Sequence, residues 1–149
     1  LWPTCKNLIK HYGLENNIDL VGIVSPDEVA QLMQESYCFV QHSITAENGD
    51  QEGTPLAVLE SALSGLPVVS TYHAGIPDVI EHEQTGLLCE EHDVDTMANN
   101  LIRIFDDVDF AKQLGQKARQ KHIENFSLER HISSLEETLH KAIEQSFKN

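Results

Sequence analysis

Basic residues are scarce in this sequence, and their scarcity limits what the chain can bind. Ten lysines and arginines stand against 24 aspartates and glutamates over 149 residues, for a net charge of −14. No lysine or arginine occurs from His11 to Ile102. Nucleic acids and anionic membranes are bound by clustered cations. The composition therefore argues against a nucleic-acid partner. It also gives this chain no basic patch for docking on a membrane, so membrane contact is left open.

Long apolar runs and a disulfide framework are missing as well. No run approaches the roughly 20 residues of a membrane-spanning helix. The three cysteines, Cys5, Cys38 and Cys89, are odd in number and far apart. We therefore expect no disulfides, and we expect the protein to be located in the reducing cytoplasm. Cys38 and Cys89 lie in apolar runs, where a thiol behaves as a small hydrophobic group.

Two further features concern metals and the start of the chain. The eight histidines have no metal-ligand spacing; His82 and His92 have carboxylates beside them, but a solvated surface explains this better than a metal site. The sequence has no initiator methionine or signal peptide and begins directly in a predicted helix that ends near Gly13. This opening indicates a piece of a longer protein.

The apolar residues, 40% of the chain, occur in short runs that alternate with helical patterns. The runs predict strands over residues 19–24, 37–41, 67–71 and 86–89. Helices are predicted over residues 25–36, 54–65 and 76–81, followed from residue 93 by three more, the last over residues 127–147. Such alternation indicates βαβ units. We therefore predict an α/β fold, a parallel sheet with helices on both faces and a helical C-terminal tail. It forms one domain over residues 1–149, with its core over residues 18–126.

Ligands of such sheets bind where the strands end, in the loops that lead into helices. The first such loop, at Val24 and Ser25, opens a helix with a capping pattern, because Ser25 precedes a proline and Glu28 follows three residues later. The loops after His42 and Thr71 are the other two candidates.

A single carboxylate, Glu60, carries the only charge between Thr54 and Val69. Buried without partners it would be costly, but in a polar cleft it could accept hydrogen bonds from ribose hydroxyls. A surface position on a helix explains Glu60 equally well.

A second carboxylate, Glu52, lies in the loop before that helix. Gly53 lets the backbone approach a ligand closely, and the free N–H groups near Thr54, Leu56 and Ala57 form an anion site of the kind that holds phosphates. A phosphate site with Glu52 on one side and Glu60 on the other is the arrangement expected of a pocket for a sugar nucleotide.

The loop after Thr71 contains Gly75, and Asp78 lies in the first turn of the following helix. N–H groups near Gly75 could meet phosphate or sugar oxygens. An ordinary turn between a strand and a helix is the simpler explanation of this segment taken alone.

Together these segments resemble the donor-binding, C-terminal half of the family-4 retaining glycosyltransferases of group 1. The resemblance covers residues 21–126. It is carried by Glu52 and Glu60 with seven residues between them, by the segment from Ser61 to Ser70, and by the segments 73–78 and 85–88. Residues 46–50 resemble the branch that builds bacterial surface polysaccharides. The resemblance implies one of the two Rossmann-like halves of a glycosyltransferase-B fold.

The resemblance also implies a role for each site residue. Glu60 would hold the ribose of a nucleotide diphosphate sugar, and Glu52, the candidate catalytic residue, would hold the donor sugar near the transfer centre. The other donor-binding contacts would come from Gly53, Thr54 and Leu56 for the diphosphate, His73, Ala74 and Gly75 for sugar or phosphate, and Val24 and Ser25 for the base. Transfer would retain configuration by front-face attack, without metal or other cofactor, onto a polysaccharide or lipid-linked glycan held by a missing N-terminal domain.

One departure from the family pattern bears on activity. The family neutralises the diphosphate with an arginine and a lysine near the start of this domain. Here no lysine or arginine occurs from His11 to Ile102, and Lys6 and Lys10 lie on the opening helix, out of place for that role. We therefore expect this chain to supply donor binding and to be inactive alone. Two alternatives are a sugar phosphorylase or sugar-nucleotide epimerase with the same fold, and a non-catalytic interaction module that uses its acidic surface or the apolar stripe of its last helix.

Overall fold

The computed structural model describes residues 1–146, with Ser146 described by its backbone alone. The chain divides into two compact units, Leu1–Gln31 and Leu32–Asn149. The predicted end of the last helix, Phe147, lies outside the described residues.

The first unit contains helix α1 (Trp2–His11) and the start of helix α2 (Pro26–Glu35). The predicted cap of α2 is present. The Ser25 N–H and Oγ donate to Glu28 Oε2 over 2.8 and 2.7 Å, and the Glu28 N–H donates to Ser25 Oγ over 3.3 Å. These bonds, chiefly the one from the Ser25 N–H, lower the pKa of Glu28. The helix start predicted from Ser25 is confirmed.

The strand predicted over residues 19–24 is wrong, because the structure has no strand there. Gly22 takes a φ of +81°, whereas extended strands need a negative φ. The apolar side chains of this segment are not collected on a buried face either: Ile23 is fully exposed and Val21 is 58% exposed.

The second unit is built on three parallel strands, β1 (Phe39–Gln41), β2 (Val68–Thr71) and β3 (Gly86–Cys89), in the order β1-β2-β3. Val68 pairs with Phe39 on one side and with Gly86 on the other. All three strands lie within or coincide with the predicted segments.

Helices cover both faces of this sheet, and alternate strand residues face opposite sides. The helices of the second unit are α3 (Leu56–Leu63), α4 (Ile76–Val79), α5 (Val94–Asp106), α6 (Val108–Asn125) and α7 (Leu128–Ser146). Val68 and Leu88 pack in one cluster with residues of α3 and α4, and Val69 and Leu87 pack in another with residues of α5 and α6. The predicted α/β fold class is confirmed.

The cysteines are free thiols in three different environments. Cys5 is exposed, Cys38 is half-buried against the α5–α6 cluster and Cys89 is buried in β3. Burial raises the pKa of both the Cys38 and the Cys89 thiol, so neither is an activated nucleophile. Their predicted role as small apolar groups is confirmed.

The apolar stripe predicted on the last helix does not reach the core. Ile132, Leu135, Leu139 and Ile143 on α7 are each between 46% and 54% exposed. No helix in the described part of the chain is long and apolar enough to cross a lipid bilayer.

A buried histidine on α6 makes the stability of the second unit depend on pH. His122 is fully buried, and its Nδ1 lies 2.7 Å from the Ala118 carbonyl oxygen, to which it donates. Within the described residues, Nε2 has no hydrogen-bond partner. Burial lowers the pKa of His122 from its ordinary 6.5. Below pH 6.5 the histidine binds a proton in the unfolded chain but not in the folded chain, which favours unfolding. The neutral, buried His122 therefore contributes fully to stability above pH 6.5, and this contribution is lost as the pH falls.

We therefore expect the free energy of unfolding, measured in urea at pH 7 and pH 5.5, to fall less in His122→Leu than in the wild type. His131→Leu, at an exposed position of α7, is the control and should keep the wild-type pH dependence. An equal fall in all three proteins would contradict the assignment.

Candidate functional site

The three strands of the second unit end at one edge of the sheet, and each continues into a loop that leads to a helix. We call these segments the first exit loop (residues 42–55), the second exit loop (residues 72–75) and the third exit loop (residues 90–93). Ser43 ties the start of the first loop to the end of β2, from which the second loop leaves: the Ser43 N–H donates to Thr71 Oγ1 over 3.1 Å, and Thr71 Oγ1 donates to the Ser43 carbonyl oxygen over 2.7 Å. Both residues are buried, so the two loops leave the sheet in a fixed arrangement.

Glu52 is held at the sheet edge by polar side chains from β1 and the first exit loop. Its Oε1 accepts hydrogen bonds from Ser43 Oγ and, over 3.2 Å, from Gln41 Nε2. Glu52 borders an open pocket of about 460 Å³. The other pocket residues are Gln41, His42, Ser43, Ile44, Ala46, Asp50, Gln51 and His73. The carboxylate is therefore positioned through Oε1, and Oε2 makes no hydrogen bond within the described residues.

The two loops that the sequence marks as ligand-binding touch each other. The Gly75 N–H donates to the Gly53 carbonyl oxygen over 3.3 Å. A Cβ on Gly75 would lie 2.4 Å from Thr54 Oγ1 and 3.4 Å from the Gly53 carbonyl oxygen, so a side chain at this position would force the Thr54 side chain in the first exit loop to move. The preceding residue, Ala74, has a φ of +43°. Gly75 thus serves close packing of the loops, a role that the sequence pattern did not reveal.

Gly53 is different, because a Cβ built on it meets nothing within 4 Å. This open space adjoins the start of α3. Pro55 caps the helix in an extended conformation, and its carbonyl oxygen accepts the Val58 N–H over 3.1 Å. The N–H groups of Leu56 and Ala57, in the first turn, have no acceptor within the helix. This geometry suits the binding of an anion next to Gly53.

Glu60 lies on the exposed part of α3, and its carboxylate makes no hydrogen bond or ion pair within the described residues. Within the described residues, the carboxylate therefore contributes no hydrogen bond or ion pair to the fold. Its freedom is compatible both with a surface position and with the predicted ribose contact.

His73 is buried, with 2% of its surface exposed, yet it borders the pocket beside Glu52. Its Nδ1 lies 2.7 Å from Glu91 Oε1. Glu91 also accepts hydrogen bonds from Thr45, from the N–H over 2.8 Å and from Oγ1 over 3.1 Å. The His73 bond, with help from the Thr45 N–H, lowers the pKa of Glu91 to about 2.

Four residues that hold this site together carry no signal in the sequence pattern. They are Gln41, Ser43, Thr45 and Glu91. The rule that ligands bind at strand ends could have pointed to the third exit loop, but no motif marks Glu91. The remaining two predicted residues, Val24 and Ser25, belong to the first unit, where Ser25 caps α2. Among the described residues, no group of three or more histidines, cysteines, aspartates or glutamates could hold a metal ion.

A parallel α/β sheet whose strands continue into loops that lead to helices belongs to a class of domain that binds ligands at the carboxyl edge of the sheet. Residues 4–121 match the profile of the family described as glycosyl transferases group 1. The chain belongs to this family, as its motifs predict.

Relatives and solved structures agree with this assignment. WcaL of Salmonella typhimurium, named for colanic acid biosynthesis, is 34% identical over 138 residues, which cover 90% of this chain and 34% of WcaL. The amylovoran biosynthesis glycosyltransferase AmsK of Erwinia amylovora is 40% identical over 99 residues, covering 66% of this chain and 24% of AmsK. The structure of S. aureus TarM, solved with UDP and α-GlcNAc-glycerol, matches with a TM-score of 0.76 and 28% identity over 93% of this chain and 26% of TarM. The chain spans about a third of the length of the curated relatives it matches. Its α/β architecture is that of a Rossmann-like part of the glycosyltransferase-B fold.

Proposed function

We propose that this chain forms the donor-binding part of a glycosyltransferase that moves a sugar from a nucleoside diphosphate sugar to a polysaccharide or lipid-linked glycan, with retention of configuration. The observation that carries the proposal is the contact between the first two exit loops, where Gly53 and Gly75 meet beside the anchored Glu52. The names of WcaL and AmsK support a polysaccharide product, and the TarM complex supports a UDP-linked donor.

In this proposal the two carboxylates bind different parts of the donor. Glu52 offers its unpartnered oxygen to hydroxyls of the sugar, and Glu60 accepts hydrogen bonds from the ribose. The diphosphate lies against the open backbone at Gly53 and the N–H groups that start α3. No side chain needs to act as nucleophile, because front-face transfer relies on stabilising the negative leaving group and the positive sugar.

The same site leaves the diphosphate poorly neutralised. A helix N-terminus contributes only about 0.3–1 kcal/mol at an exposed site, and no lysine or arginine lies between His11 and Ile102. We therefore propose that the isolated chain binds donor weakly and transfers no sugar. The half-exposed stripe on α7 is proposed to pack against another part of the parent protein.

Donor binding is tested by an amide-resolved NMR titration of the chain with UDP, GDP and ADP and with their glucose conjugates, which we call the nucleotide panel. Shifts are expected at residues 52–57, at Glu60 and at residues 73–75, and the conjugates should add shifts near Glu52. If no member of the panel shifts these resonances at millimolar concentration, donor binding by this chain is refuted.

A substitution at Gly53 separates binding from folding. Gly53→Val adds a side chain where a Cβ meets nothing within 4 Å, so the melting temperature should stay within about 1 °C of the wild type, as for surface substitutions generally. The side chain would fill the space of the phosphate, so nucleotide affinity should fall about tenfold or more. Ala98→Val, at an exposed position of α5, is the control; equal affinities in the three proteins would contradict the phosphate position.

A further inference from the structure

Glu91 is the point at which the three exit loops are joined. It lies in the third loop, two residues after β3, and its carboxylate accepts hydrogen bonds from His73 in the second loop and from Thr45 in the first. The three bonds measure 2.7–3.1 Å. Glu91 therefore ties the third loop to the first two, which also contact each other through the bond between the Gly75 N–H and the Gly53 carbonyl oxygen.

The bond between Glu91 and His73 determines which nitrogen of the neutral imidazole carries the proton. With its pKa held at about 2, chiefly by the His73 bond, Glu91 is ionised near neutral pH and can only accept. His73 must therefore donate from Nδ1, and in the neutral ring Nε2 is the unprotonated nitrogen. The ring borders the pocket with Glu52, so Glu91 determines which hydrogen-bonding atom His73 can offer there.

The bond to Thr45 acts on the loop that ends at Glu52. Gln51 Nε2 donates to Thr45 Oγ1 over 2.9 Å, and the Ala46 N–H donates to the Asp50 carbonyl oxygen over 2.9 Å. These contacts close residues 45–51 into one small loop whose base is tied to Glu91. The residue after that loop is Glu52, so a shift at Thr45 is transmitted to Glu52 through the chain.

We propose that Glu91 is a positioning residue of the donor site, which aligns Glu52 and the His73 ring with the donor sugar without touching it. This inference rests on the proposed function. Loss of Glu91 should weaken binding of the sugar moiety and leave binding of the nucleotide nearly unchanged, because the start of α3 and Glu60 make none of these contacts.

The test compares three variants of the chain by NMR. In Glu91→Ala, the long-range ¹H–¹⁵N imidazole spectrum of His73 should lose the Nδ1–H form that the wild type shows. Affinity for the glucose conjugate that binds in the nucleotide panel should fall about tenfold, as expected when Glu52 loses one hydrogen bond to the sugar, while affinity for the parent nucleotide changes less than about threefold. Glu91→Gln keeps an acceptor oxygen and should keep the Nδ1–H form and most of the affinity. Glu90→Ala, the exposed neighbour, is the control and should resemble the wild type.

The outcomes separate the two claims. If the wild type binds the conjugate and Glu91→Ala binds it equally well, or if nucleotide and conjugate weaken to the same extent, the positioning role is overturned and donor binding stands. If the wild type binds no member of the nucleotide panel, the proposed function fails first and the positioning role with it. If Glu91→Ala does not fold, Glu91→Gln decides the claim: His73 without the Nδ1–H form and unchanged affinity for the conjugate would contradict it.

Discussion

Gly115→Ala is expected to destabilise the second unit by about 3 kcal/mol or more, at the upper end of what overpacking costs. Gly115 lies on α6, where its Cα faces the turn between α3 and β2. A Cβ would stand 2.0 Å from the Gly65 carbonyl oxygen and 3.2 Å from the Pro67 nitrogen. Both neighbours are backbone, so no rotamer change can relieve the overlap.

Intrinsic helix propensity alone predicts that Gly115→Ala would stabilise the protein. The sign of the measured change in stability therefore distinguishes the two effects. Alanine is favoured over glycine inside a helix by about 1 kcal/mol, so a solvent-exposed glycine at this position would gain stability on substitution. The melting temperature should instead fall by roughly 6–12 °C. Gln116→Ala, at the next and exposed position of α6, is the control and should stay close to the wild type. A melting temperature of Gly115→Ala at or above the wild-type value would show that α6 can move away from the turn.

The helices and the buried strands could be predicted because their signals are local. Ser25 and Glu28 form the expected cap, and Asp93, at the start of the predicted helical region, accepts the Thr96 N–H over 2.9 Å and caps α5. The run that became β3 is continuously apolar and β2 begins with two valines, as expected of strands covered on both faces. In each case the residues that determine the element lie within a few positions of it.

The features that were not predicted depend either on contacts between distant segments or on a residue with left-handed backbone conformation. The run at residues 19–24 has the composition of a strand, yet Gly22 breaks its extended conformation. Nothing in the local pattern of α6 marks Gly115 as a contact point with Gly65, because the close approach depends on how two helices and a turn pack. The sequence therefore shows which residues are apolar, but it does not show which of them pack against one another in the folded chain.

The candidate site divides in the same way. Glu52, Gly53 and Gly75 were predicted from a motif, and the structure brings the two loops that contain them into contact. Glu91 and Thr45 were not, because they are 46 residues apart and become partners only when β1 and β3 lie in one sheet. The motif residues are close in sequence, whereas Thr45 and Glu91 meet only through the fold, so the sequence pattern could mark the first group and not the second.

Glu60→Ala should weaken nucleotide binding by about 1.5–3 kcal/mol, the usual range for hydrogen bonds to a charged group. This corresponds to roughly 10- to 150-fold in Kd. The carboxylate is exposed and has no partner within the described residues, and alanine is a good helix former, so the fold should lose nothing. The effect should be the same for a nucleotide and for its glucose conjugate, since the proposed contact is with the ribose.

The equal loss of affinity for a nucleotide and for its glucose conjugate distinguishes the role proposed for Glu60 from the role proposed for Glu52. Loss of a ribose contact lowers affinity for every member of the nucleotide panel by the same factor, whereas loss of a sugar contact lowers affinity for the glucose conjugates alone. Glu136→Ala, on the exposed surface of α7, removes the same charge and controls for the net charge of −14. Unchanged affinity in Glu60→Ala would make Glu60 an ordinary surface residue, because its carboxylate then contributes neither to the fold nor to the ligand.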